Sequence, residues 1–181
     1  MDFVEPLRDK KDIETVKNIL KTKSNRDYLL FLIGINIGLR ISDILKLKVS
    51  DVKKKDYILV NEQKTGKYRK IPITKSFKKS LNDYIKNKNE EEFLFKSRRS
   101  NFAITRVQAY RIICDACKKA GIKVNIGTHT LRKTFGYHFY KETKDVALLQ
   151  YIFNHSSPSI TLRYIGINQD IIDRKLKAFV L

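Results

Sequence analysis

At 181 residues the chain fits one domain able to bury a real core, and its 42% hydrophobic content excludes a disordered basic tail. Lys plus Arg number 38 against 19 Asp plus Glu, a formal net charge of +19. So large an excess repels itself in the compact state unless a polyanion offsets it, which puts nucleic acid ahead of an anionic membrane as partner and leaves a merely lysine-rich surface as the plain alternative.

In chain order, Asp9 or Asp12 can cap a first helix that carries Ile13, Val16, Ile19 and Leu20 on one face. A second helix runs from about Asn25 to Gly38, a residue suited to a left-handed C-terminal cap. Its apolar run, Tyr28 to Leu39, is shorter than the about 20 residues that a membrane span needs. Arg40 follows at once, and a short helix begins near Ser42. Residues 57–60 and 68–71 read as two strands of a hairpin around Gln63-Lys-Thr-Gly66, with Pro72 closing the ladder because it has no amide hydrogen. From Ser76 the pattern is helical, at about 76–88, 104–120, 130–143, 145–153, 158–166 and 170–178. The expected fold is mainly α with one small antiparallel sheet, divided into a body at 1–167 and a tail helix at 168–181.

Two local patterns exclude other readings. The N-terminus, Met-Asp-Phe-Val-Glu, lacks the basic-then-apolar order of a secretory signal, so a cytoplasmic location is expected. Cys114 and Cys117 form a CxxC within a helical stretch, with no second Cys pair, so two reduced thiols are expected and no metal site.

Four stretches carry candidate chemistry. In His129-Thr-Leu-Arg132 the two basic side chains share one face near a helix start, where amide hydrogens and the helix dipole favour a phosphate. In Gly38-Leu-Arg40-Ile-Ser-Asp43, Arg40 sits in a turn, and its planar guanidinium suits bidentate binding of phosphate oxygens. Asp43 is the expected acceptor behind that guanidinium or behind an active-site His. Lys64, at the hairpin tip, can reach a nucleic-acid groove and give a proton to a leaving oxygen, with Lys67, Arg69 and Lys70 as rivals. Finally, His155 lies in a break between two helices, and Tyr164 stands near the end of the short helix that follows. Each motif alone has an ordinary structural explanation, and a lone Tyr is far more often core or surface than nucleophile.

The ordered set Arg40, Lys64, His129, Arg132, His155, Tyr164 resembles the Arg, Lys, His-x-x-Arg, His, Tyr series of the tyrosine recombinase (phage integrase) family. The contexts GLRISD, QKTGKYRKIPI, HTLRKTFG and NHSSPSITLRYIGI match as well, and the likeness runs from about Pro6 to Gln169. The resemblance implies the catalytic-domain fold of that family and a metal-free, cofactor-free phosphoryl transfer on double-stranded DNA. Tyr164 would form a 3′-phosphotyrosyl link, Arg40, Arg132 and His155 would offset charge on the phosphate, and Lys64 would protonate the leaving 5′-oxygen. His129 would take the Tyr164 proton or hold the phosphate, and nearby Arg charges would lower the Tyr164 pKa or bias the attack.

Members of that family usually carry an additional N-terminal DNA-binding domain. The short lead before the first helix is therefore expected to mark either an excised catalytic part or a short stand-alone member. Arg98, Arg99 and Arg106 join Lys67 and Arg69 as candidate DNA contacts. The tail, with Ile171, Ile172, Leu176, Phe179 and Val180, is expected to dock on a neighbouring protomer or back on its own chain. The alternatives in function are a type IB topoisomerase-like nicking and closing activity and a catalytically silent DNA-binding module.

Overall fold

The structure is a computed structural model that describes residues 4–64 and 66–179. Thr65 of the expected turn and Val180 of the expected tail lie outside the described residues. Helix α1 (Lys10–Lys23) starts because the Asp9 carboxylate accepts the Lys11 amide at 2.7 Å, and it buries Ile13, Val16 and Leu20. Helix α2 (Asn25–Ile37), capped by Ser24, is apolar almost all round. Such a helix must be enclosed, and α2 is the centre of the molecule, packed on α1, on α4 (Lys75–Ile85) and on α6 (Thr130–Thr143). At Gly34 a β-carbon would meet the Leu131 side chain at 2.5 Å, so the α2–α6 approach needs a glycine.

Gly38 caps α2 with φ 64, turning the chain so that Arg40 stands at the start of the short helix α3 (Ile41–Ile44). After a 3-10 turn at Val49–Asp51 come β1 (Tyr57–Asn61) and β2 (Tyr68–Pro72), antiparallel, with Tyr57 opposite Pro72 and Asn61 opposite Tyr68. Ile58 and Val60 alternate inward as period-two patterning requires. Among the described residues, one isolated bridge ties the segment 86–105 back to the chain before the 3-10 turn, Lys48 to Phe93, and another lies within it, Lys96 to Ala103.

Helix α5 (Arg106–Lys119) opens on a capping box in which Thr105 and Gln108 exchange hydrogen bonds, so it starts two residues later than its apolar pattern suggests. Then come α6, α7 (Val146–Phe153), α8 (Pro158–Tyr164) and α9 (Ile167–Ala178). The last begins earlier than expected, because Gly166 at φ 83 turns the chain directly from α8 into α9. Ile167 is buried, and Asp170 accepts from Arg8 Nε at 2.9 Å, so the first turn of the tail is fastened to the body.

Among the described residues three apolar clusters form the core: one under α2, α4 and the hairpin, one joining α1 to α5, and one among α6, α7, α8 and α9. No helix among the described residues is long and apolar enough to cross a membrane. Burial pushes the Cys117 thiol up to about 12 and raises that of Cys114 too, which favours thiols over metal-binding thiolates.

Candidate active site

Arg40, Lys64, His129, Arg132, His155 and Tyr164, spread along the chain, line one cavity of about 310 Å³ together with Asn154. A wider groove of about 660 Å³ shares Arg40, Lys64 and His129 with it and extends past Arg106, Val107 and Tyr110 at the N-terminus of α5.

Arg132 is only 3% exposed, yet its charge is well provided for. Nη1 donates to the Gly38 carbonyl at 2.5 Å and Nη2 to the Phe153 carbonyl at 3.0 Å. Both acceptors lie at helix C-termini, where carbonyls lack intrahelical partners and the dipole favours a cation. The guanidinium carbon also stands 4.3 Å from the centre of the Phe153 ring. Burial lowers the Arg132 pKa to about 10, which still leaves it charged at neutral pH.

Arg40 is held differently from the expectation. The acceptor behind its guanidinium is Glu62, a buried carboxylate whose second oxygen takes Arg69 Nη1 at 3.0 Å. Asp43 instead accepts the backbone amide of Gln63 at 3.1 Å through Oδ1, and its buried Oδ2 has no hydrogen-bond partner among the described residues. The reason is parity: Glu62 continues the inward-facing series of Ile58 and Val60, so its side chain turns toward Arg40. An acidic residue on the buried parity of a strand requires a cation, and that signal was present in the sequence. Arg69 is thereby committed to a buried ion pair.

Tyr164 sits in an aromatic and cationic cage. Its Oη is 3.1 Å from His129 Nδ1, and its ring packs edge-on at 5.1 Å from the His155 ring and 5.6 Å from Phe153. Lys133 Nζ stands 5.0 Å from the Tyr164 ring centre and donates to the Val4 carbonyl at 2.6 Å. Burial lowers the Lys133 pKa to about 8. Burial also raises the Tyr164 pKa above its ordinary value, and the nearby Arg132 and Arg40 only partly offset it. The two cations act in the expected direction, but desolvation of the phenolate outweighs them.

The two histidines are both biased toward the neutral form. Burial, then Arg132, Lys133, Arg40 and Lys64, lower the His129 pKa. Burial, then Arg132 and Arg40, bring His155 down to about 4. His155 Nδ1 is 3.0 Å from the Thr161 hydroxyl, which donates to the Ser157 carbonyl at 3.2 Å. A hydroxyl has one hydrogen, so it accepts from His155 Nδ1–H, and the Nε2 of a neutral His155 is left bare. Thr161 was not visible as a functional residue in the sequence.

The remaining candidates divide by place. Arg106 lines the groove beside Arg40, and Lys67 Nζ lies 5.9 Å from the exposed Tyr151 ring. Lys70 Nζ stacks 4.1 Å over Tyr57 on the outer face of the hairpin. Arg98 and Arg99 line a separate basic cleft with Lys23, Arg26 and Arg111.

Chemically, the cavity offers two guanidinium groups, a lysine, two neutral imidazoles and a phenol. That set can bind a tetrahedral anion, shuttle protons and supply an oxygen nucleophile.

The phage integrase family matches residues 8–170. The probable integrase/recombinase YoeC of Bacillus subtilis is 54% identical over 179 residues, 99% of this chain and 98% of that protein. The tyrosine recombinase XerA of Pyrococcus furiosus is 30% identical over 157 residues, 84% of this chain but 54% of its own length. Among solved structures, a XerA recombinase superposes with a TM-score of 0.77 at 23% identity, over 97% of this chain and 64% of that one. A lambda integrase dimer bound to a COC′ core site gives 0.72 at 19% identity, over 91% of this chain and 60% of that one. At such identities the structural likeness speaks for the fold.

Proposed function

This chain belongs to the phage integrase family, and on that premise we propose that it is a site-specific recombinase that cuts and rejoins DNA strands through a 3′-phosphotyrosyl intermediate. The observation that carries this reading is the convergence of all six candidate residues on one cavity. Tyr164 Oη attacks the scissile phosphorus and the bond from phosphorus to the 5′-oxygen breaks. The Tyr164 proton passes to His129 Nδ1, and Lys64 protonates the departing 5′-oxygen. A 5′-hydroxyl from the partner strand then attacks the phosphotyrosyl link and restores the diester.

Arg40 and Arg132 take the charge that builds on the non-bridging oxygens, and losing one such donor costs roughly 3–4 kcal/mol of barrier. His155 donates through Nε2 only after it gains a proton. An arriving phosphate favours that by offsetting the two Arg charges that hold its pKa down.

Double-stranded DNA is the substrate, and the chain self-associates on it, as a dimer of the structurally similar lambda integrase does on its core site. Ile171, Ile172 and Leu176 on α9, and Phe179 just beyond it, stay exposed, which supports docking of the tail on a neighbouring protomer. Light scattering with and without residues 168–181 tests the docking, since a tail that folds back on its own chain leaves the oligomeric state unchanged.

The decisive assay for the function is incubation with a nicked suicide DNA substrate. A covalent protein–DNA adduct is expected with the wild type and none with Tyr164→Phe. A folded wild type that forms no adduct on any DNA points to the silent binding module. Relaxation of supercoiled plasmid lacking a specific site points to the topoisomerase-like activity.

A further inference from the structure

We propose that Glu62 is a positioning residue for strand cleavage, whose buried carboxylate sets Arg40 and the Lys64 hairpin tip in register with each other. This inference rests on the recombinase reading. The Glu62 side chain is 2% exposed and lies between two guanidinium groups, those of Arg40 and Arg69. A carboxylate so deeply buried is tolerable only with such partners. Charge balance gives a second reason for its presence. Arg40, Arg69 and Arg132 converge near the cavity, and an anion among them offsets their repulsion when no phosphate is bound.

The backbone shows what the carboxylate connects. Glu62 N donates to the Lys67 carbonyl at 3.0 Å, and Gly66 N donates to the Glu62 carbonyl at 2.8 Å, so Glu62 anchors both sides of the turn that carries Lys64. From the other direction, Asp43 on α3 accepts the Gln63 amide at 3.1 Å. The two acidic residues thus form a reciprocal tie. Arg40 reaches across to the hairpin at Glu62, and the hairpin reaches back to Asp43 through Gln63. A guanidinium has five N–H donors, and the Glu62 contact uses Nη1 of Arg40, which still lines the cavity. Glu62 therefore fixes the orientation of Arg40 without displacing phosphate from it. The anion-binding group and the leaving-group acid become one mechanical unit.

The test uses the whole chain and a suicide DNA substrate, with cleavage rate and DNA affinity measured separately. Glu62→Asp keeps the charge but is one methylene too short to reach both guanidinium groups. It is expected to fold and to bind DNA within about 3-fold of wild type while cleaving roughly 10- to 100-fold more slowly. Glu62→Gln is expected to show the same split, with affinity equal to or tighter than wild type because a negative charge is gone. In an Arg40→Ala background, Glu62→Gln is expected to add less than about 2-fold, since the carboxylate acts through Arg40. Folded Glu62 variants that cleave at the wild-type rate overturn the proposal, as does an undiminished loss in the Arg40→Ala background. Absence of any adduct from the wild type overturns the recombinase reading and this inference together. A wild-type adduct with indifferent Glu62 variants overturns this inference alone.

Discussion

The Tyr164 hydroxyl lies 3.1 Å from His129 Nδ1, and the environment of the pair moves their pKa values apart: Tyr164 upward, His129 downward. An unperturbed tyrosine is only about 0.1% ionised at pH 7, and burial makes Tyr164 scarcer still as phenolate. His129, by contrast, is neutral and ready to accept. The cleavage rate is therefore expected to be level through neutral pH and to fall on acidification, with a midpoint below the ordinary histidine value near 6.5. The sign follows from protonation of the base. His129→Gln should remove that acid limb and slow cleavage by about 100-fold or more. A pH profile of single-turnover cleavage checks both, and an unchanged acid limb in His129→Gln rules the pairing out as the proton path.

Arg132 joins the two ends of the site by donating to carbonyls at the C-termini of α2 and α7. Its replacement by Lys keeps the charge but loses the fork that spans Gly38 and Phe153. Arg132→Lys is expected to lower the melting temperature and to slow cleavage by about 100-fold. Arg132→Ala leaves two buried carbonyls unpaired, at roughly 1–3 kcal/mol each. Thermal melts together with cleavage rates check this. A variant as stable as wild type contradicts the bracing role.

The site was legible in the sequence where residue type and local context act together, and hidden where long-range packing decides. Gly38 before Arg40 announced a helix stop and a turn, and the structure has both. His129 and Arg132 were readable as neighbours on one helical face, but the two carbonyls that hold Arg132 come from Gly38 and Phe153, far away along the chain. Asp43 was a natural guess as the partner of Arg40 because it is close in sequence. Glu62 took that place because strand parity turned it inward, and only the packing of the hairpin beside α3 brings the two together. The Tyr164 pKa likewise depended on burial, which no local pattern reveals.

Gly38 supplies a further test, since it combines φ 64 with close contact to Phe135. A β-carbon there would lie 2.4 Å from Phe135 Cδ1, and the left-handed conformation is unfavourable for alanine by roughly 1–2 kcal/mol. Gly38→Ala is expected to destabilise the fold by more than that conformational cost alone. It should also displace the carbonyl that Arg132 uses, so cleavage should fall by a larger factor than DNA affinity. Denaturant melts and suicide-substrate kinetics read the two effects, and a fully active, fully stable variant contradicts the account.

Histidine 155 should make the fold acid-sensitive in a defined window. His155 has a folded-state pKa of about 4, while an unfolded chain titrates near 6.5. Between those values the unfolded state binds the proton that the folded state refuses, so stability is lost as pH falls from about 6.5 to about 4. Below that window this group causes no further loss. His129 contributes in the same direction, since its pKa is also lowered. The melting temperature of the wild type is expected to drop more steeply across the window than that of His155→Asn. Parallel curves for the two proteins would show that His155 is not held neutral in the fold.

Arg106 bears on how the chain grips DNA, because it lines the groove that leads out of the active-site cavity past Arg40 and Lys64. Arg98 and Arg99 line a different cleft, so the two sets should separate by experiment. With a net charge of +19, binding to duplex DNA is expected to weaken strongly with added salt, by about 0.9 log units per neutralised phosphate for each tenfold rise. Arg106→Ala should reduce that salt slope by about 1 and weaken binding to all sequences alike, if the side chain meets a phosphate. If it meets a base edge, the variant should instead relax the preference at one position and leave the slope nearly unchanged. Titrations at several salt concentrations, on the preferred site and on scrambled DNA, decide between the two. A variant that matches wild type on every count removes Arg106 from the interface. The paired Arg98→Ala and Arg99→Ala substitutions, in the same titrations, measure whether the second cleft touches the duplex.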